Sequence, residues 1–248
     1  MTEISIKAEE IFHIGHFTVT NALLLSAVTV VVLLTIGFLV KKNLKMVPGK
    51  LQSIMELMIE QILGFMESVL GSKTSALRYL PLIATIFFFV MISNWLGLMP
   101  GVGSIGVYES HEGKSLFVPI FRAPAADLNF TIALAMISMI SVNVLAVLAL
   151  GFKKHFSKFF TLKNPLLSFV GILEFISEFV KIISFSFRLF GNVFAGEVLL
   201  TIIVSLVPYA VPLPFLFLEI FVGFIQAFIF AMLTLVFIAM AVSHEDAH

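Results

Sequence analysis

Three windows of this 248-residue chain, 18–40, 80–99 and 128–152, contain no charged residue. About 20 apolar residues in helical conformation cross the ~30 Å of hydrocarbon in a bilayer. Two longer segments follow, 165–206 and 215–242, in which charges are few. Backbone groups in hydrocarbon find no water and must bond to one another, so windows of this kind fold as helices. The chain is 60% hydrophobic and 12% charged, with a mean hydropathy of +1.10. Soluble domains are about a quarter charged. The expected fold is an all-α polytopic membrane protein in a single domain, with three spans and then a pair of long helices.

The connections supply the topology. Residues 207–214 contain Pro208, Pro212 and Pro214; proline closes a helix and cannot continue one, so the terminal pair is predicted to be a hairpin. Residues 50–71 are amphipathic, with Leu51, Ile54, Met55, Met58, Ile62 and Phe65 at helical spacing and Glu56, Glu60 and Glu67 off that stripe. A helix at the membrane interface, or one packed on a partner helix, fits. Residues 1–17 form a tail and 100–127 a loop, in which Gly101 and Gly103 are read as loop glycines. Six basic residues fall in the first connection and four, Lys153, Lys154, Lys158 and Lys163, in the third, of fifteen in all. The tail has only Lys7, and the 100–127 loop only Lys114 and Arg122. The positive-inside rule then puts the N-terminus outside and the C-terminus, 243–248, in the cytoplasm or matrix.

Several chemistries are excluded. Without cysteine there are no disulfides, thiolate metal sites or cysteine nucleophiles. No glycine-rich phosphate loop ending in Lys-Ser/Thr occurs. His13 and His16 are three apart but lack an evident third ligand, so no metal is expected. His111, His155, His244 and His248 are read as solvent-titrating loop or tail residues. The tail carries Glu3, Glu9 and Glu10 and lacks the marks of a signal or transit peptide, so insertion through the chain's own spans is expected.

Within the fourth segment stands Arg188, a permanent cation in or near hydrocarbon. Because guanidinium does not release its proton, its role is electrostatic. At 100° per residue Glu174, Glu178, Lys181, Arg188 and Asn192 fall within an arc of about 80°. Such a stripe is expected to face a water-filled crevice or a partner protein. Glu197 points about 180° from Arg188 and lies about 13 Å further along the axis, which rules out a salt bridge between them. Glu219 and Gln226 share one face of the last helix, with Gly223 between them. Folding the hairpin at its proline turn sets Arg188 level with Gln226 and Glu197 level with Glu219. Two carboxylates at one depth cannot both ionise cheaply, which suits reversible proton uptake.

The run Phe187-Arg188-Leu189-Phe190-Gly191-Asn192-Val193-Phe194-Ala195-Gly196-Glu197 strongly resembles subunit a of the F-type ATP synthase, the stator beside the rotating c-ring. Supporting stretches are Val47–Gln52, Asn94–Pro100, Arg122–Asn129 and Gln226–Phe230. The resemblance implies two offset aqueous half-channels leading to and from rotor carboxylates, and a non-catalytic role, ATP chemistry lying on other subunits. It implies that Arg188 faces the ring and blocks leakage between the half-channels, with Asn192 and Gln226 as polar neighbours. Glu197 and Glu219 match the protonatable pair of the outer half-channel; many bacterial members carry histidine at the second position. Asp127 resembles an acidic position near that channel's mouth. The implied partners are the c-ring, peripheral-stalk b subunits and the lipid bilayer of a bacterial inner membrane (a mitochondrial one is the alternative), with no cofactor and no nucleic acid. A stand-alone ion transporter or channel would use the same residues but favours internal repeats, which are not evident here. A purely structural assembly subunit leaves Arg188 unexplained.

Overall fold

The computed structural model describes residues 8–15, 17–103, 105–111, 114–157, 165–207 and 210–243. Lys7, His16, Lys158, Lys163, Pro208, His244 and His248 lie outside them. Among the described residues five helices are long and apolar enough to cross a membrane. They are α1 (Asn21–Lys42), α3 (Lys73–Gly97), α4 (Leu128–Leu150), α6 (Pro165–Leu206) and α7 (Pro212–Ser243). Between the first two runs α2 (Lys50–Leu70), and between α4 and α6 a short α5 (Phe152–Ser157).

Local chemistry sets the ends. Thr20 caps α1, its hydroxyl accepting from the Leu23 amide at 3.3 Å. α2 stops at Gly71, whose φ of 68° is the left-handed conformation that glycine adopts without strain. Asp127 caps α4, its carboxylate accepting from the Asn129 amide at 3.0 Å. α7 begins at Pro212, inside the proline-rich stretch, because proline at the first helical position lacks only an amide that would have no helical partner.

The helical architecture stands, but segments read as tail and loop contain short strands. β1 (Glu10–Ile14) pairs antiparallel with β2 (Phe17–Thr20). In the loop between α3 and α4, β3 (Pro100–Gly103) takes up the two glycines read as loop, and β4 (Gly106–His111) pairs antiparallel with β5 (Lys114–Pro119). Backbone emerging from the membrane without a helix still has amides to satisfy, and a hairpin does so locally. A 3-10 turn at Pro124–Ala126 then leads into α4.

The core lies where α3, α4, α6 and α7 meet, with α2 against α3 and α7. Phe87 of α3, Met139 of α4, Leu189 of α6 and Phe230 and Leu235 of α7 are buried there. Ala135, Ala227 and Ala231 are fully buried as well, and small side chains let membrane helices approach closely. Phe185 meets Phe230 edge-on, ring centroids 4.8 Å apart. α2 is only partly seated: Ile62 and Met66 are buried, while Leu51, Ile54 and Phe65 of its apolar stripe stay exposed. Little of α1 or α6 is covered by the rest of the chain, so both offer long apolar faces outward.

Candidate functional site

The α6–α7 pair brings polar side chains of the two helices to one region. The Asn192 amide donates to the Gln226 side-chain oxygen at 2.7 Å. One turn further along α6, the Glu219 carboxylate lies against the α carbon of Gly196; a Cβ added there would collide with it. The partner of Gln226 is thus Asn192 and not Arg188, which the hairpin arithmetic set level with it. The difference is four residues, about 6 Å along the helix.

α3 holds this part of α7 in place. The Asn94 amide donates to the Gly223 carbonyl at 3.2 Å, and the Trp95 indole to the Ile220 carbonyl at 3.1 Å. Gly223 lets the helices come this close, since a Cβ there would lie 3.2 Å from the Asn94 Cβ. At the end of α3, Gly97 abuts the following loop; a Cβ there would sit 2.6 Å from the Ala123 Cβ and 3.0 Å from its Cα.

That loop delivers Arg122, whose side chain is only 7% exposed. Its Nε lies 3.2 Å from Oε1 and 3.3 Å from Oε2 of Glu197, and Nη2 is 3.4 Å from Oε2. A cavity of about 410 Å³ opens between α3, the loop, α6 and α7. Among the described residues Arg122, Glu197 and Glu219 are the ionisable groups on its wall. Asn94, Asn192 and Gln226 line it too. The Asn94 side-chain oxygen and the Gln226 side-chain nitrogen are buried without a hydrogen-bond partner among the described residues.

Arg188 is not on this wall. It is exposed on the outside of α6, with no hydrogen-bond or ion-pair partner among the described residues. Asp127 is also away from the cavity: it is buried and engaged in capping α4, so the structure does not bring it to the others.

The charged stripe of α6 divides in two. Its outer part, Arg188 and Asn192, is exposed. Its N-terminal part turns onto neighbouring helices. Lys181 Nζ lies 2.7 Å from Glu178 Oε1 and 4.9 Å from the centre of the Phe237 ring. Glu178 accepts from the Asn143 amide at 3.4 Å, and the Asn143 oxygen is 3.0 Å from His155 Nε2. His155, read above as a solvent histidine, is 2% exposed on α5. Arg122, Asn94, Asn143 and His155 received no such role from sequence, because their partners lie on other elements.

Fold and site together define a polytopic membrane protein with an ionisable cavity between its helices and an arginine on the outer face of one of them. The family described as ATP synthase A chain matches residues 23–239, and the chain belongs to it. The chain is similar to ATP synthase subunit a of Campylobacter jejuni, 33% identical over 237 residues that cover 96% of this chain and 91% of the relative. It is similar to the Moorella thermoacetica subunit at 32% identity, covering 94% and 96%. The Helicobacter pylori (strain Shi470) subunit is 34% identical over 96% and 98%. Family membership places the chain in ATP synthesis and proton transport at a membrane.

Proposed function

We propose that this chain is the proton-translocating stator subunit of an F-type ATP synthase, carrying protons to and from the carboxylates of a c-ring. In this reading Arg188 faces the ring and separates two half-channels. The cavity of Glu197 and Glu219 belongs to the outer one, entered from the side of the 100–127 loop. Asn192 and Gln226 connect the cavity wall to the rotor face. The subunit performs no ATP chemistry itself; it works beside the ring and the peripheral-stalk b subunits in a bacterial inner membrane. Its N-terminus lies outside and its C-terminus in the cytoplasm.

One observation carries the reading. The two carboxylates share a cavity inside the protein, while the single arginine of α6 stands exposed on a different face of the same helix. In this reading a proton arriving at Glu197 or Glu219 reaches the rotor side past Asn192 and the positive charge beyond it. A fixed cation there favours a deprotonated rotor carboxylate as it passes. It also opposes a direct path for protons between the two sides. Each proton moving down 100 mV releases about 2.3 kcal/mol, so leakage around Arg188 would dissipate energy that synthesis needs.

ATP-driven proton pumping in inverted membrane vesicles tests the relay. Glu219→Gln is expected to slow pumping more than Glu197→Asp, since it removes a protonatable oxygen and the latter only shortens a side chain. Wild-type rates in both variants would remove the carboxylate pair from the mechanism.

A further inference from the structure

Arg122 lies in a loop, 75 residues before Glu197 in sequence, and neither the α6 stripe nor the hairpin arithmetic touches it. Yet it is the most buried of the three ionisable residues on the cavity wall and contacts both oxygens of Glu197. Its position is closely built. Ala125 and Ala126 beyond it are fully packed, and Gly97 is the only residue type that admits Ala123 beside it.

A relay made of two carboxyl groups works only if one holds a proton and the other is empty. Burial opposes charge on each of two carboxyl groups, and repulsion opposes charge on both at once. A fully protonated pair has no free oxygen to receive the next proton. A guanidinium at 3.2–3.4 Å offsets the cost of charge on Glu197, and it stays charged throughout any cycle. We propose that Arg122 is a positioning residue for proton transfer, holding Glu197 as the empty acceptor beside Glu219. This inference rests on the half-channel reading above.

In the step it supports, the O–H bond of the Glu219 carboxylic acid breaks and an O–H bond forms on the Glu197 carboxylate, directly or through cavity water. The negative charge moves the opposite way, and Arg122 neither gives nor takes the proton. Its contact with Glu197 weakens from ion pair to hydrogen bond while the proton rests there, and re-forms when it leaves. Among the described residues the other polar groups on the cavity wall are uncharged: Asn94 from α3, Asn192 and Thr201 from α6, Gln226 from α7. Asp127 is engaged at the α4 cap. Glu9 lies near the rim, its carboxylate 3.4 Å from the Asn21 amide nitrogen, which is also 3.4 Å from the carbonyl of the lining residue Pro119.

The test uses the whole complex in inverted vesicles, with ATP-driven pumping measured across pH for wild type, Arg122→Lys and Arg122→Gln. Arg122→Gln should pump about tenfold slower near neutral pH and recover several-fold as the pH rises by about two units, when bulk alkali empties one carboxyl of the pair. Arg122→Lys keeps the charge and should retain the wild-type profile within about threefold. Wild-type pumping by Arg122→Gln overturns the proposal. So do equal losses in both variants with pH profiles unchanged in shape, the mark of a merely structural contact. If Arg122→Gln does not assemble, Arg122→Lys decides alone: a wild-type profile supports the proposal, and a tenfold loss in an assembled complex overturns it. Unimpaired pumping by Glu219→Gln would instead sink the half-channel reading itself.

Discussion

Gly196→Ala is a one-carbon change whose consequence follows from a single contact. The added Cβ would fall onto the Glu219 carboxylate, touching both of its oxygens and its carboxyl carbon. All three atoms are at the far end of a flexible side chain, so α6 and α7 need not separate; Glu219 swings aside. Reaching an ordinary contact of about 3.5 Å requires it to move by about 1 Å or more. The helix itself gains, because alanine is about 0.5–1 kcal/mol better than glycine in a helix interior. Assembly should therefore be preserved while proton transfer suffers. Misplacing a reacting group by about 1 Å can lower a rate about 100-fold. The expected result is a 10- to 100-fold fall in ATP-driven pumping, read from quenching of a pH-sensitive dye in inverted vesicles, with normal amounts of complex in the membrane. Gly37→Ala on α1 is the control, since a Cβ there meets nothing within 4 Å. Wild-type pumping by Gly196→Ala would show that the position of the Glu219 carboxylate is immaterial and refute the reasoning.

Three further changes probe the scaffold. Leu235→Ala empties a fully buried site in α7; in lipid the penalty is mainly the lost packing, so about 2–3 kcal/mol is expected, at the low end for such truncations, seen as a lower melting temperature of the detergent-purified complex. Gly97→Ala drives a Cβ into Ala123, including its backbone, and should displace the loop carrying Arg122; slowed pumping should accompany a lowered melting temperature, and an unchanged pair of values would contradict the packing described. The Asn192–Gln226 hydrogen bond, 2.7 Å long, should appear as a coupling of about 0.5–1.5 kcal/mol in a double-mutant cycle on stability with alanine at each position.

The helices were legible because membrane insertion is a rule about length and charge, and both are read along one chain. That Glu197 and Glu219 line one cavity was legible for a related reason. A hairpin with a proline-marked turn has few registers, and counting back from 207–214 brings Glu219 to Gly196, next to Glu197. What counting misses is an axial offset of four residues, which is why Asn192 and not Arg188 meets Gln226. Helical periodicity also grouped five polar residues on one face of α6, but it carries nothing about neighbours; α4 and α7 cover Glu178 and Lys181 and leave Arg188 outside. Arg122 was hidden because a loop has no period. Its available signal was weaker: one of two basic residues in the 100–127 loop with acidic neighbours, placed just before a proline turn. Asp127 carries a second signal, local to the sequence. An Asp immediately before an apolar run is a helix cap by its local chemistry, and that is the place the structure gives it.

The central claim is that Arg188 separates two proton paths and carries none itself. Arg188→Ala, measured for both ATP-driven pumping and passive proton conductance in vesicles holding equal amounts of complex, addresses it most directly. Pumping should be abolished while assembly stays intact and passive conductance does not fall below that of wild type. Normal coupled pumping by Arg188→Ala would contradict the account.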